Sequence, residues 1–184
     1  MHGNEDPSAW VRRWSHLIAP GSGVLDVACG AGRHLRWFHG LGHRVVGVDR
    51  SAEALAACEG LGELLLADIE NDPWPLAGRT FGAVVVTNYL WRPLLPTIVG
   101  SVAPGGVLIY ETFALGNETV GRPARPDFLL NPGELIAACA GLRVVAYEAG
   151  FAQNPDRFVQ RITAVRELPD AGAPSRHLLP VSPS

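Results

Sequence analysis

Blocks of apolar residues recur along the chain, and their spacing alternates between helical and strand-like. Trp10, Val11, Trp14, Leu17 and Ile18 fall at helical spacing within residues 7–18, with Pro7 near the first turn. Short apolar runs at 24–28, 44–48, 63–67, 81–86 and 107–111 read as strands. The run 81–86 is nearly all apolar, as expected of a strand covered on both faces. Between the strands the spacing predicts helices over 33–39, closed by Gly40 and Gly42, and over 52–57, capped by Ser51 and ended by Gly60. A further helix is predicted over 94–102, and the APGG after it reads as a turn. Residues 68–79 hold two prolines and read as loop. Residues 112–132 are long, irregular and marked by Gly and Pro, which in a compact domain points to a functional or mobile segment. A helix over 133–140 and strands over 143–149 and 157–165 complete the pattern.

Five strands alternating with helices predict an α/β fold with a doubly wound parallel sheet. The short connection between the last two strands predicts an antiparallel hairpin at one edge. Residues 1–167 read as one domain, with 1–19 forming an N-terminal helix or lid. The tail 168–184 is Pro-rich with little periodicity and is expected to be flexible.

The run VLDVACGAG, Val24 to Gly32, is a strand ending in a carboxylate and then a glycine-rich turn that opens a helix. Such a turn lets backbone N–H groups approach a ligand closely. The next strand ends in Asp49, where an acid in a βαβ unit usually holds an adenosine ribose. Gly30 and Gly32 supply the GxG of a dinucleotide fingerprint, but Leu35 stands where its third glycine belongs. Asp26 would repel a pyrophosphate and suit a cationic amino group. The preference is therefore for a ligand carrying an ammonium and a sulfonium.

With VVGVDRS, LLLADIE, FGAVVVTNYL and PGGVLIYETF added in order, residues 20–115 resemble the class I S-adenosylmethionine-dependent methyltransferase superfamily. The resemblance implies a Rossmann-like seven-stranded sheet, mostly parallel with the last strand antiparallel. It implies S-adenosyl-L-methionine as cofactor and S-adenosyl-L-homocysteine as product. Asp26, Gly30 and Gly32 would line the methionine moiety, Asp49 would hold the ribose hydroxyls, and Asp68 with Ile69 would contact the adenine; Ala28 and Arg50 are further cofactor-binding candidates. Asn88 would lie near the methyl group. The superfamily usually has glycine where this chain has Ala28. The stretch Gly32 to Ser51 is more loosely similar to the small tellurite-resistance-type methyltransferases.

Methyl transfer from a sulfonium releases a neutral leaving group, so placement and desolvation of the acceptor dominate. A base is needed only where the acceptor must lose a proton. Asn88, Tyr89 and Glu111, at the strand ends, are the catalytic candidates, and His34 lies close by on the first helix of the βαβ unit. Trp10, Trp14, Trp91, Phe113, Arg122 and Arg125 are the acceptor-side candidates; the two tryptophans read equally as core packing and the two arginines as solvated surface. The prolines of an (N/D)PPY tetrad are missing after Asn88, which removes support for adenine or glutamine acceptors.

The remaining features narrow the choice. Net charge is −3, and no Lys/Arg run marks a nucleic-acid footprint. The start of the chain lacks the pattern of a signal peptide and no run is long enough to span a bilayer, so a cytoplasmic protein is expected. Cys29, Cys58 and Cys139 are scattered without CxxC spacing, which argues against a disulfide framework and a zinc site. The expected function is methyl transfer to a small molecule. RNA or protein methylation, with Arg12, Arg13, Arg122 and Arg125 as a docking strip, and a non-catalytic partner subunit are the alternatives.

Overall fold

The computed structural model describes residues 6–169, 172 and 175–180. The tail beyond 168, expected to be flexible, lies partly outside the described residues. Where the tail is described, the Leu178 carbonyl meets His16 Nε2 at 2.9 Å.

Seven strands form one sheet: β1 (Gly23–Val27), β2 (Arg44–Asp49), β3 (Glu63–Leu66), β4 (Phe81–Thr87), β5 (Val102–Phe113), β6 (Arg143–Ala152) and β7 (Arg157–Val165). Their order is β3-β2-β1-β4-β5-β7-β6, with β7 antiparallel to both of its neighbours. The helices are α1 (Ala9–Trp14), α2 (Arg33–Gly40), α3 (Ala52–Ala56), α4 (Leu95–Gly100) and α5 (Glu134–Ala138). Strand order reverses between β1 and β4, which opens a crevice at the carboxyl ends of those two strands.

The two-residue period of the strands divides the core between the faces of the sheet. Leu25, Val27, Val84 and Val86 point to one face, where Ile98 of α4 and Leu135 of α5 cover them. Val24, Ala83, Val85 and Ile109 point to the other, against α1 through Trp10 and Trp14 and α2 through Leu35 and Phe38. Covering both faces is what makes β4 apolar along its length.

Most boundaries shift by a residue or more from the sequence expectation, and three of the shifts have a clear physical cause. β1 ends at Val27 because Ala28 turns into the left-handed region, at φ +53°. Val102 belongs to β5 and not to the preceding helix, and APGG is a bulge within that strand. The pairing register steps from Phe81↔Val102 to Ala83↔Val107. Gly105 N–H donates to the Arg166 carbonyl and Arg166 N–H to that of Gly106, so contacts distant in sequence draw the bulge into the sheet. β6 runs on to Ala152 because its pairing with β7 continues through Ala152↔Arg157.

Candidate active site

The glycine-rich turn hangs from Asp49. Gly30 N–H donates to Asp49 Oδ2 and Ser51 N–H to Oδ1, both at 2.8 Å. One carboxylate thus fixes the turn after β1 and the entry to α3. Ala28, Gly30 and Gly32 all have positive φ. A Cβ on Gly30 would meet nothing within 4 Å, so that residue opens onto space; a Cβ on Gly32 would stand 2.4 Å from Cys58 Sγ. The turn therefore requires glycine at position 32 for packing and backbone conformation together.

Two cavities meet at Ala28. One, of about 340 Å³, is lined by Ala28–His34 together with Thr87 and Asn88. The other, of about 120 Å³, is lined by Ala28, Asp49, Arg50, Ala67–Glu70 and Tyr89. They bring together the expected residues Ala28, Gly30, Gly32 and Asn88 on one side, and Asp49, Arg50, Asp68 and Ile69 on the other. Asn88, like Ala28, is held at positive φ, its N–H bonded to the Glu111 carbonyl. Arg33 reaches Thr87 Oγ1 at 3.4 Å across the larger cavity. Asp68 closes a small turn: the Asn71 side chain and the Glu70 N–H bond its carboxylate and hold its pKa below the usual aspartate value.

Several expected residues do other work. Tyr89 lines the smaller cavity, on the side of Asp49 and Asp68. Burial, and then the carboxylate of Glu70, push its hydroxyl well above the usual phenol range, which makes it a poor base at neutral pH. Glu111, a candidate base, is buried and committed: it accepts Ser8 Oγ–H at 2.9 Å, pairs with Arg161, and has Arg157 at 3.8 Å. It holds β5, β7 and the start of α1 together. Trp10 and Trp14 are core residues, 3% and 1% exposed, so α1 is packed onto the sheet and they do not face an acceptor.

Trp91 packs at the edge of the core beside α4, and Phe113 is half-buried at the end of β5. Arg122 and Arg125 are exposed on the long loop, where Arg125 pairs with Asp127 at 2.9 Å. None of these six acceptor-side candidates lines either cavity. Cys29 is buried, and desolvation, followed by the charges of Asp26 and Asp49, raises its thiol far out of reach of ionisation.

The long segment after β5 is fastened at several points. Arg92 forms a two-pronged bond with Glu134, at 2.6 and 2.9 Å, and donates to the carbonyls of Asp127 and Leu129. Buried Asn117 ties the Pro123 carbonyl to the Phe158 N–H. Ser8, Thr87 and Arg161 were not among the expected site residues. Ser8 carried a signal, a cap residue ahead of a helical pattern; Arg161 carried none.

The residues present fit an adenosyl sulfonium. Asp26 lines neither cavity; it is buried beneath the turn with an oxygen lacking a hydrogen-bond partner, a setting that suits a cationic group. Asp49 keeps unused lone pairs beside the smaller cavity, suited to ribose hydroxyls.

Comparison with known proteins agrees. Residues 24–106 match the family described as a methyltransferase domain. No curated protein sequence matches the chain. Among solved structures, TehB from Haemophilus influenzae aligns with a TM-score of 0.72 at 18% identity, covering 90% of this chain and 64% of its own. The chain thus spans under two thirds of that relative's length. A TehB-like S-adenosylmethionine-dependent methyltransferase from Corynebacterium glutamicum gives 0.66 at 16% identity, covering 89% and 90%. The glycopeptide N-methyltransferase MtfA, in complex with S-adenosyl-L-homocysteine, gives 0.60 at 20% identity, covering 88% and 90%.

Proposed function

We propose that this chain is a class I S-adenosylmethionine-dependent methyltransferase domain and that it acts on a small-molecule acceptor. The observation that carries the proposal is the pair of cavities meeting at Ala28. The smaller, with Asp49, Asp68 and Ile69, suits the nucleoside; the larger, with the glycine turn, suits the methionine end and an acceptor of modest size. The cofactor, when bound, supplies an electrophilic methyl on sulfur. Asp49 would hold the ribose hydroxyls, Asp68 and Ile69 the adenine, and Asp26 the amino group. Thr87 and Asn88 form the wall that an acceptor would approach, and their part is to orient it and exclude water.

The one carboxylate named as a candidate base is tied up by Arg161 and Ser8. An acceptor that attacks as a preformed anion or lone pair suits such a site: a thiolate, a selenide or an amine. Two structural neighbours are N-methyltransferases by name, MtfA and coclaurine N-methyltransferase. The docking strip for RNA or protein loses force, because Arg13 pairs with Glu148 and Arg125 with Asp127. The test is production of S-adenosyl-L-homocysteine on incubation with the cofactor and a panel of thiols, selenite, amines and small acids. Turnover with one chemical class supports the reading; turnover only with RNA or protein overturns the small-molecule assignment.

A further inference from the structure

Beneath the glycine turn a chain of buried polar groups runs from Asp26 to the start of α1. Asp26 Oδ2 is buried without a hydrogen-bond partner, and His34 Nδ1 faces it at 3.7 Å. His34 is as buried as Asp26. Its other nitrogen, Nε2, accepts the backbone N–H of Ser8 at 3.1 Å. A ring nitrogen that accepts carries no proton, so the proton of the neutral ring sits on Nδ1, toward Asp26. Ser8 is the N-cap of α1, and its hydroxyl donates to Glu111, the partner of Arg161. Docking of α1 therefore selects the tautomer of a histidine on α2, and that histidine points its N–H at the acid under the turn.

We infer that His34 is a positioning residue for the cofactor. Held by Ser8, it orients the Asp26 carboxylate and keeps capacity on that carboxylate for a second donor, of the cationic amine class. Seating of the N-terminal helix and filling of the methionine end are thereby coupled. The inference rests on the proposed reading of Asp26 as the group that takes the cofactor's amino end.

Substitutions to glutamine and proline make the coupling testable. In His34→Gln the new amide would offer a carbonyl oxygen to Ser8 N–H and an N–H to Asp26, the same pattern as the neutral ring. Ser8→Ala removes the hydroxyl but keeps the backbone N–H. Ser8→Pro removes both, and the φ of −49° at Ser8 is one that proline tolerates. Each variant is titrated with S-adenosyl-L-homocysteine by calorimetry, and its thermal midpoint is measured. His34→Phe is expected to weaken binding roughly tenfold or more, the effect of losing the N–H that orients the carboxylate toward the amine. His34→Gln restores it to within about threefold of the parent. Ser8→Ala lowers the midpoint without changing affinity, whereas Ser8→Pro lowers both.

Parental affinity in His34→Phe and Ser8→Pro, with only the midpoint reduced, would make His34 a packing residue and overturn the inference alone. If His34→Phe does not fold, the two Ser8 variants decide. Failure of the parent chain to bind overturns the cofactor reading and the inference with it.

Discussion

The sheet has a hollow at each end, and the larger one is at the end away from the proposed site. At the amino ends of β1, β2 and β4 lies a cleft of about 800 Å³ lined by His39, His43, Arg44, Glu63 and Arg79. Its clearest polar contact, Arg79 with Glu63 at 2.7 and 2.8 Å, joins one wall to another. The cavities at the carboxyl ends are smaller, but there carboxylate oxygens are fixed by backbone N–H groups and by turns.

Backbone strain divides the same way. Among the described residues Ala28, Asn88 and Asn154 are the non-glycine residues at positive φ, and all lie at the carboxyl end. The left-handed turns at the amino end, Gly42 and Gly60 among them, are glycines. Volume marks where loops diverge; strain and pre-positioned acceptors mark where a ligand is held.

The largest expected effect that separates the two ends is on cofactor affinity. Asp49→Ala removes two backbone anchors and the proposed ribose acceptors, and should weaken S-adenosyl-L-homocysteine binding about a hundredfold or more. Arg44→Ala at the opposite end should leave it unchanged; calorimetry of the two variants checks both. Next in size is Glu111→Ala. It takes the buried carboxylate from Arg161, leaving it only the more exposed Glu148, and removes the acceptor of the Ser8 hydroxyl, and should cost roughly 3 kcal/mol in denaturant unfolding. A base role would instead show as lost turnover with stability intact.

Acid sharpens the contrast through the clamp on the long loop. Burial opposes the charge of Glu134, but the bonds from Arg92 and the Asn131 N–H outweigh it, so its pKa lies below the ordinary 4.5. A lowered carboxylate pKa stabilises the fold above the unfolded value and ceases to do so as pH falls through the folded one. The thermal midpoint should therefore be steady above about pH 5 and fall below it. Glu134→Gln should lower the midpoint near neutrality and flatten that fall.

The smallest effect is the most direct reading of strain. Ala28→Gly should stabilise the chain by about 0.5–1 kcal/mol, since alanine at φ +53° carries a steric cost that glycine lacks. Gly42→Ala, at φ +83° with nothing within 4 Å of the new Cβ, should destabilise it by about 1 kcal/mol. Urea unfolding of the pair gives opposite signs if the account is right.

Much of this was legible in sequence because it is local. The strand-turn-helix of VLDVACGAG, the Ser51 cap and the acids at the ends of β2 and β3 each lie within a few residues of the structure they specify. The glycine turn also announced itself by a departure, Ala28, whose strain appears only when its φ is known. Contacts between distant segments were not legible. Glu111 reads as an acid at a strand end until Arg161 and Ser8 are seen beside it. Trp10 and Trp14 fit a lid and a core face equally well by spacing, and the packing of α1 against Phe38 and Ile109 decided for the core. The bulge in β5 arises from bonds to Arg166, some sixty residues away, which no local pattern encodes.

Calorimetric titration of S-adenosyl-L-homocysteine into the parent chain and Asp49→Ala, with Arg44→Ala as reference, bears most directly on the claim that the ligand sits at the carboxyl end. One site is expected in the parent chain, unchanged by Arg44→Ala and nearly lost in Asp49→Ala. Equal binding by the parent chain and Asp49→Ala, or loss on Arg44→Ala instead, would contradict that claim.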